Sequence, residues 1–170
     1  MKNSTQKASF NLCVSSTTLD HGALAALEHG HKRSPLWPAR QKAHLKIQPY
    51  CLACGLEHPL NVHHKYPFHF VIAVGRPDLE LDERNLFTLD VLPTEEHHLL
   101  IGHLGDYQSY NPQLESTLSL CRNLLASQIR SLPHFIELME NRPKRLDKMT
   151  KREKDALRDE LDRLFPLEKK

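Results

Sequence analysis

The part of the sequence that most restricts the fold is a cluster of metal-ligand residue types within about fifty residues. It comprises a Cys-x-x-Cys pair, two adjacent histidines and a second histidine group, namely Cys51, Cys54, His63, His64, His97, His98 and His103. Thiolate and imidazole groups are the side chains that bind zinc and related ions. The cluster therefore predicts at least one metal site, and any fold of this chain must bring these segments together.

The adjacent histidines His63 and His64 are expected to have different roles. They fall in a predicted strand, where successive side chains point to opposite faces, so one ring can hold a metal while the other faces a substrate. Histidine is a natural general base near neutral pH, and a bound cation can stabilise the leaving oxygen of a phosphate. The pair therefore indicates metal-dependent cleavage of a phosphodiester. The alternative interpretation is surface histidines without a role.

The second histidine group supplies a further candidate ligand. His98 and His103 are five residues apart, whereas an ideal α-helix aligns side chains four apart. Gly102 suggests that the helix ends there and that a turn brings His103 back, so His98 is the stronger ligand candidate. Asn85 could fix a catalytic histidine by a hydrogen bond, although alone it would be interpreted as a turn or cap residue.

The two closely spaced thiols Cys51 and Cys54 provide half of a structural zinc site, which normally has four ligands. Asp90 and His97 are the nearest candidates to complete it, since carboxylate and imidazole both bind zinc. The alternative is that both thiols simply remain reduced in a turn.

Hydrophobic periodicity and turn residues predict a mixed α+β organisation. We expect a helix at 38–47, a turn at 51–55, strands at 61–66 and 86–89, and a helix at 94–102. The segment 67–84 is expected to be a loop whose inner structure the sequence leaves open. A long helix with an apolar stripe follows from 112 to 132, Pro133 breaks or restarts it, and a charged helix covers 144–165. The stripe is typical of core packing or helix pairing.

Charge and composition exclude some classes of protein and leave others open. The net charge is only +2, but the segment 31–50 holds five Lys/Arg and no acid, which can bind phosphates or form a solvated face. Residues 1–20 do not resemble a signal peptide, and no apolar window is long enough to span a membrane. The four cysteines do not form a secreted disulfide pattern. A cytoplasmic protein with reduced thiols is therefore expected.

Taken in order, these motifs resemble the HNH endonuclease family, whose ββα-metal core is a two-stranded hairpin followed by a helix. The resemblance covers about residues 34–112, close to half of the chain. It is carried by Trp37-Pro38, Lys42-Ala43-His44-Leu45-Lys46, Cys51-Leu52-Ala53-Cys54-Gly55, Val62-His63-His64, Glu80-Leu81-Asp82, Asn85-Leu86 and Gly102-His103-Leu104-Gly105. Relatives commonly have cysteines where this chain has Asp90 and His97, a difference that bears on the structural zinc alone.

The resemblance implies a role for each matching residue. His64 would be the general base, and Asn85 would orient it and brace the loop between the strands. His63 and His98 would bind the catalytic ion, one divalent Mg, Mn, Ni or Zn, and His103 would add a third ligand or contact phosphate. The products would carry a 5′-phosphate and a 3′-hydroxyl.

The resulting hypothesis is a DNA endonuclease in three parts. These are a flexible N-terminal segment (1–33), an HNH nuclease domain (34–112) and a helical C-terminal extension (113–170) that could bind a protein partner or form a dimer. The expected phosphate-binding residues are Arg40, Lys42, Lys46 and Lys65. A non-catalytic zinc-binding module for DNA or protein is the alternative, and RNA as a substrate, the cutting mode and the target sequence stay open.

Overall fold

The computed structural model describes residues 32–57, 59–92 and 96–167. Helix α1 (Trp37–Ile47) precedes strand β1 (Leu60–His64), helix α2 (Phe68–Ala73), strand β2 (Leu86–Asp90) and a π-helix (His98–Gly102). The chain continues through α3 (Leu114–Leu120), α4 (Ala126–Ser131), α5 (Pro133–Glu140) and α6 (Lys151–Leu164). This mixture of helix and strand agrees with the predicted α+β class. Most of the predicted N-terminal segment lies outside the described residues.

The two strands form an antiparallel hairpin whose register places His63 opposite Phe87 and Leu60 opposite Asp90. Both strands were predicted within a residue or two of their observed bounds. The connection between them was predicted as a loop whose inner structure the sequence left open, and it contains α2. The helix escaped prediction because Phe68 to Val71 are all buried, so it shows no alternation of apolar and polar faces.

Helix α1 begins where the sequence predicts, with Pro38 in the first turn, where a missing N–H costs nothing. It buries Trp37 and His44. The His44 ring lies 2.5 Å from a Glu83 carboxylate oxygen, and Arg40 pairs with the other oxygen at 2.6 Å. These contacts hold α1 against the turn that leads into β2.

The predicted long helix from 112 to 132 is wrong in the middle. Helix α3 ends at Leu120, Asn123 has a positive φ of 60°, and a new helix begins at Ala126. Most of its apolar stripe nevertheless enters one core, with Leu114 and Leu118 from α3 and Ile129 from α4, whereas Leu125 in the break is exposed. Pro133 was predicted either to break the helix or to restart it, and it starts α5.

Helices after residue 112 complete two hydrophobic cores instead of standing apart from the hairpin. In the first core, Leu114, Ile129 and Phe135 pack with Leu89 and Ile101. In the second, α6 packs onto the segment between the strands, with contacts among Tyr66, Phe70, Tyr110, Leu157, Leu161 and Phe165. Across the described ranges, no helix combines the length and apolar character that a bilayer crossing needs.

Candidate metal centres

Three histidines from separate parts of the sequence converge at one point. The ring centroids of His63 and His98 are 5.2 Å apart, those of His63 and His103 are 4.7 Å apart, and those of His98 and His103 are 5.0 Å apart. The nearest ring nitrogens all lie within 4.8 Å of one another, and all three residues are buried. This triad of His63, His98 and His103 could hold one metal ion.

The π-helix explains how two histidines five residues apart face the same point. In an α-helix, a step of five residues would turn the second side chain roughly 140° away from the first. A π-helix bonds residue i to residue i+5, so its turn is wider and brings His98 and His103 onto one side. Asn111 covers the end of this turn, because its backbone N–H donates to Gly102 and its side chain donates to Ile101.

Hydrogen bonds indicate which ring atoms point to the centre of the triad. His103 donates from Nδ1 to the carbonyl oxygen of Ser109 at 2.8 Å, so its Nε2 carries the lone pair that a metal needs. Both ring nitrogens of His63 are buried without a hydrogen-bond partner among the described residues. Burial and the neighbouring rings of His103 and His98 lower the pKa of His63 well below its usual value. The His63 ring is therefore neutral, so its nitrogen lone pair is available to a cation bound by the triad.

His64 occupies the opposite face of β1, as the strand alternation predicts. Its Nε2 donates to the carbonyl oxygen of Glu80 at 2.9 Å, so Nδ1 carries the lone pair. The ring stacks on Trp37 with centroids 4.4 Å apart. Burial, together with the charge of Arg33, lowers the pKa of His64 to about 3, so the ring is neutral at neutral pH.

A small cavity joins the triad to His64. Its volume is about 20 Å³, enough for roughly one water molecule or one ion. Arg33, Phe68, His64 and the three triad histidines are among its lining residues. His64 and the three triad histidines therefore line a common space.

Asn85 braces the segment between the strands, as the resemblance implies. Its side-chain oxygen accepts from the backbone N–H of Tyr66 at 2.8 Å, and its amide donates to the carbonyls of Tyr66 and Leu79. The ring of His64 is held instead by Glu80, the neighbour of Leu79. Asn85 is therefore linked to His64 only through the backbone that it fixes.

The second group contains the four residues predicted for structural zinc: Cys51, Cys54, Asp90 and His97. The two thiol sulfurs lie 3.2 and 3.4 Å from Oδ2 of Asp90, and the same oxygen contacts Nδ1 of His97. All four ligand atoms lie within 4.8 Å of one another. Two thiols, one carboxylate and one imidazole make up the four-residue set that the sequence predicts, and their number and types are those of a metal-binding group.

Protonation within this group follows from its close contacts. Burial raises the pKa of both thiols. Burial alone would lower the pKa of His97, but the hydrogen bonds and charges of Asp90 and Cys51 together outweigh it and raise that pKa to about 10. A metal entering here would displace the thiol protons and the proton shared by Asp90 and His97, so binding would release protons.

The four predicted phosphate-binding residues do not share one environment. Arg40 pairs with Glu83, and Lys65 pairs with Glu115 at 2.7 Å. Lys42 and Lys46 lie on the exposed side of α1. The structure therefore leaves the two lysines of α1 as the more accessible candidates.

Sequence reasoning missed three contributors to the site. Arg33 lines the cavity, Trp37 stacks on His64, and the Glu80 carbonyl holds the His64 ring. Trp37 and Glu80 belong to motifs of the family resemblance, which was a signal that they matter. Arg33 belongs to a basic segment, but nothing in the sequence set it apart from its neighbours.

Comparisons of this chain with protein-family models, with curated proteins and with solved structures found no match. The two candidate metal centres thus stand on their own geometry.

Proposed function

We propose that this protein is a metal-dependent endonuclease of the HNH type that hydrolyses phosphodiester bonds in DNA. One observation carries the proposal: three buried imidazoles converge beside a cavity that a fourth imidazole also lines. The hairpin followed by a helical turn supports a ββα-metal core. Under this proposal His63, His98 and His103 hold the catalytic ion, and His64 is the general base.

The donor set of the triad favours particular metals. Three protein ligands with an open position are the usual arrangement of a catalytic site. Imidazole prefers Zn and Ni, whereas Mg prefers oxygen ligands, and no carboxylate joins this group in the described part of the chain. When bound, such a cation polarises the phosphate and stabilises the leaving oxygen. We therefore expect Ni or Zn to occupy the triad more readily than Mg.

The proposed step is the attack of water on phosphorus. Nδ1 of His64 takes a proton from the water as its oxygen bonds to phosphorus. The bond from phosphorus to the 3′ oxygen breaks, and that oxygen takes a proton from solvent. The Glu80 carbonyl keeps the His64 ring in the tautomer whose Nδ1 can accept, and Trp37 fixes the plane of the ring.

We also propose that Cys51, Cys54, Asp90 and His97 hold a structural zinc. Asp90 ends β2, and His97 directly precedes the triad ligand His98. A zinc at this group would therefore fix the start of the π-helix against the hairpin.

The test is digestion of supercoiled plasmid by the purified protein with Mg, Mn, Ni or Zn. We expect cleavage with a divalent ion, and loss of cleavage in His64→Ala and His64→Gln while DNA binding survives. The exposed His134 provides the matched control, since His134→Ala should cleave like the wild type.

Metal binding separates the roles of the two kinds of histidine. Titration with Co²⁺ should show that His98→Ala loses the triad ion and that His64→Gln keeps it. Cleavage by His64→Gln at the wild-type rate would refute the assignment of the base. DNA binding without cleavage under every ion would favour the alternative, a non-catalytic zinc-binding module.

A further inference from the structure

Arg33 is held at the cavity between two aromatic rings. Its guanidinium carbon lies 4.6 Å from the ring centroid of Trp37 and 5.2 Å from that of Phe68. Only 16% of the side chain is exposed. The guanidinium therefore lies in a defined place, next to the space that His64 and the triad share.

Glu80 contacts both Arg33 and His64. One carboxylate oxygen lies 3.6 Å from Nη1 of Arg33, and the carboxylate also accepts from the backbone N–H of Ser34 at 3.0 Å. The backbone carbonyl of the same residue accepts from His64. The Arg33 guanidinium and the His64 imidazole are thus both held by Glu80, so this one buried residue fixes where each lies relative to the other.

The chemistry of a guanidinium suits this place. It is planar, always charged and carries five N–H donors, so it can bind a carboxylate and a phosphate at the same time. Charge-assisted hydrogen bonds from such a group to phosphate oxygens are among the strongest in proteins. None of the described residues that line the cavity has an acidic side chain, so no carboxylate among them would repel a phosphate there.

We propose that Arg33 binds a non-bridging oxygen of the phosphate whose bond is cleaved, an inference that rests on the proposed nuclease function. Arg33 would hold that phosphate beside His64 and stabilise the negative charge that grows on it during attack. Trp37 and Phe68 keep the guanidinium in position, and Glu80 sets its direction. Lys42 and Lys46 are exposed and are not among the residues that line the cavity, so their role would be to bind other phosphates of the DNA strand.

The first test measures DNA binding without metal. Binding of a short DNA duplex in EDTA is followed at several salt concentrations for the wild type, Arg33→Ala and Arg33→Lys. The matched control is Arg158→Ala, because Arg158 also pairs with a carboxylate, Asp162, but lies on α6. Losing one phosphate contact should reduce the slope of log K against log salt by about 0.9 in Arg33→Ala alone.

The second test uses Trp37, which is the only tryptophan of the chain. Phosphate binding at Arg33 would change the contact between the guanidinium and the indole, so Trp37 fluorescence should change on titration with the duplex. The change should follow the binding curve in the wild type and in Arg158→Ala. In Arg33→Ala the titration should leave the emission constant.

The third test measures cleavage. Removing one donor to a reacting group typically lowers kcat by about 100- to 1,000-fold, and we expect this for Arg33→Ala with little change in KM. Arg33→Lys keeps the charge beside buried Glu80, so it guards against loss of folding. It should retain the salt slope but recover only part of kcat, because an ammonium lacks the planar fork.

The outcomes separate the two proposals. An unchanged salt slope in Arg33→Ala, or cleavage by Arg33→Lys at the wild-type rate, would overturn the role of Arg33 while the nuclease activity stands. A wild type that never cleaves, but whose salt slope and fluorescence still depend on Arg33, would overturn the nuclease proposal and keep the phosphate contact.

Discussion

Gly102 lies directly against the imidazole of His63. A Cβ at Gly102 would come within 2.8 Å of Cε1 and 2.9 Å of Nδ1 of that ring, closer than real Cβ contacts. The backbone of Gly102 is not in the left-handed region, so an alanine would fit its conformation. The absence of a side chain is therefore what lets the strand histidine reach the π-helix.

Replacing Gly102 with alanine should displace the His63 ring and weaken metal binding at the triad. We expect affinity for Ni²⁺ to fall by about tenfold or more, the range found when a group supporting a metal ligand is disturbed. Isothermal titration would measure it. The control is Gly105→Ala, three residues on, where φ is +78° and the nearest atom is Met139 Sδ at 4.0 Å. That variant should lose stability through backbone strain but keep its Ni²⁺ affinity, and equal affinities in both variants would contradict the prediction.

Asp90→Ala should remove zinc from the second centre. The carboxylate oxygen of Asp90 contacts both thiols and His97, so its loss leaves three ligands. Loss of a direct ligand should weaken zinc binding by more than the roughly 10- to 100-fold that follows loss of a supporting group, and it should lower the melting temperature in the presence of zinc. The rate at which Cys51 and Cys54 are alkylated reports how much zinc the second centre holds, because bound zinc protects thiolates from alkylation. Cys121→Ala removes a buried thiol outside both centres, so protection should persist in it.

Asn85→Ala should destabilise the segment between the strands. Its side chain satisfies three buried backbone groups, the N–H and carbonyl of Tyr66 and the carbonyl of Leu79. Leaving buried polar groups unsatisfied costs about 1–3 kcal/mol each, so we expect a loss of about 3 kcal/mol in the free energy of unfolding in urea. Asn141→Ala is the control, because its single side-chain bond to Glu137 is exposed. A loss below about 0.5 kcal/mol at Asn85 would refute the bracing role.

Arg76→Ala should loosen α6. The buried guanidinium donates to Asp78, to Asp162 at 2.7 Å and to the carbonyl of Phe165 at 2.8 Å. Hydrogen bonds to charged groups contribute about 1.5–3 kcal/mol, but both acids are about half exposed, which weakens their contribution. We therefore expect the free energy of unfolding in urea to fall by about 2 kcal/mol. Hydrogen exchange should rise mainly in α6. Arg158→Ala, which removes an exposed arginine of the same helix, should change stability by less than about 0.5 kcal/mol.

Short-range patterns predicted most of the elements around the site. Pro38 fixed the start of α1, and strand alternation placed His63 and His64 on opposite faces. Helix α2 was not predicted because its burial hides the periodicity of apolar residues. The break between α3 and α4 at Asn123 was not predicted because apolar residues continue at helical spacing on both sides of it. Neither the positive φ of Asn123 nor the full burial of Phe70 can be deduced from neighbouring residues, because both depend on what packs against them.

The second metal group was predicted as a set of four, while the convergence of the triad was only half expected. Spacing favoured His98 and left His103 uncertain, because an α-helix would separate them. The π-helix that aligns them is supported by Asn111, which lies eight residues beyond His103 and bonds its last carbonyls.

The sequence by itself determined the inventory: which imidazoles, thiols and carboxylates are present, and which strand and turn residues precede them. Only the tertiary structure decided that three of the imidazoles meet, that Gly102 makes room for the His63 ring, and that Arg33 lines the same cavity as His64 while Glu80 contacts both. Residue types and local propensities act over a few neighbours. Convergence of side chains depends on packing between segments that are distant in sequence, and that packing is fixed by the whole chain.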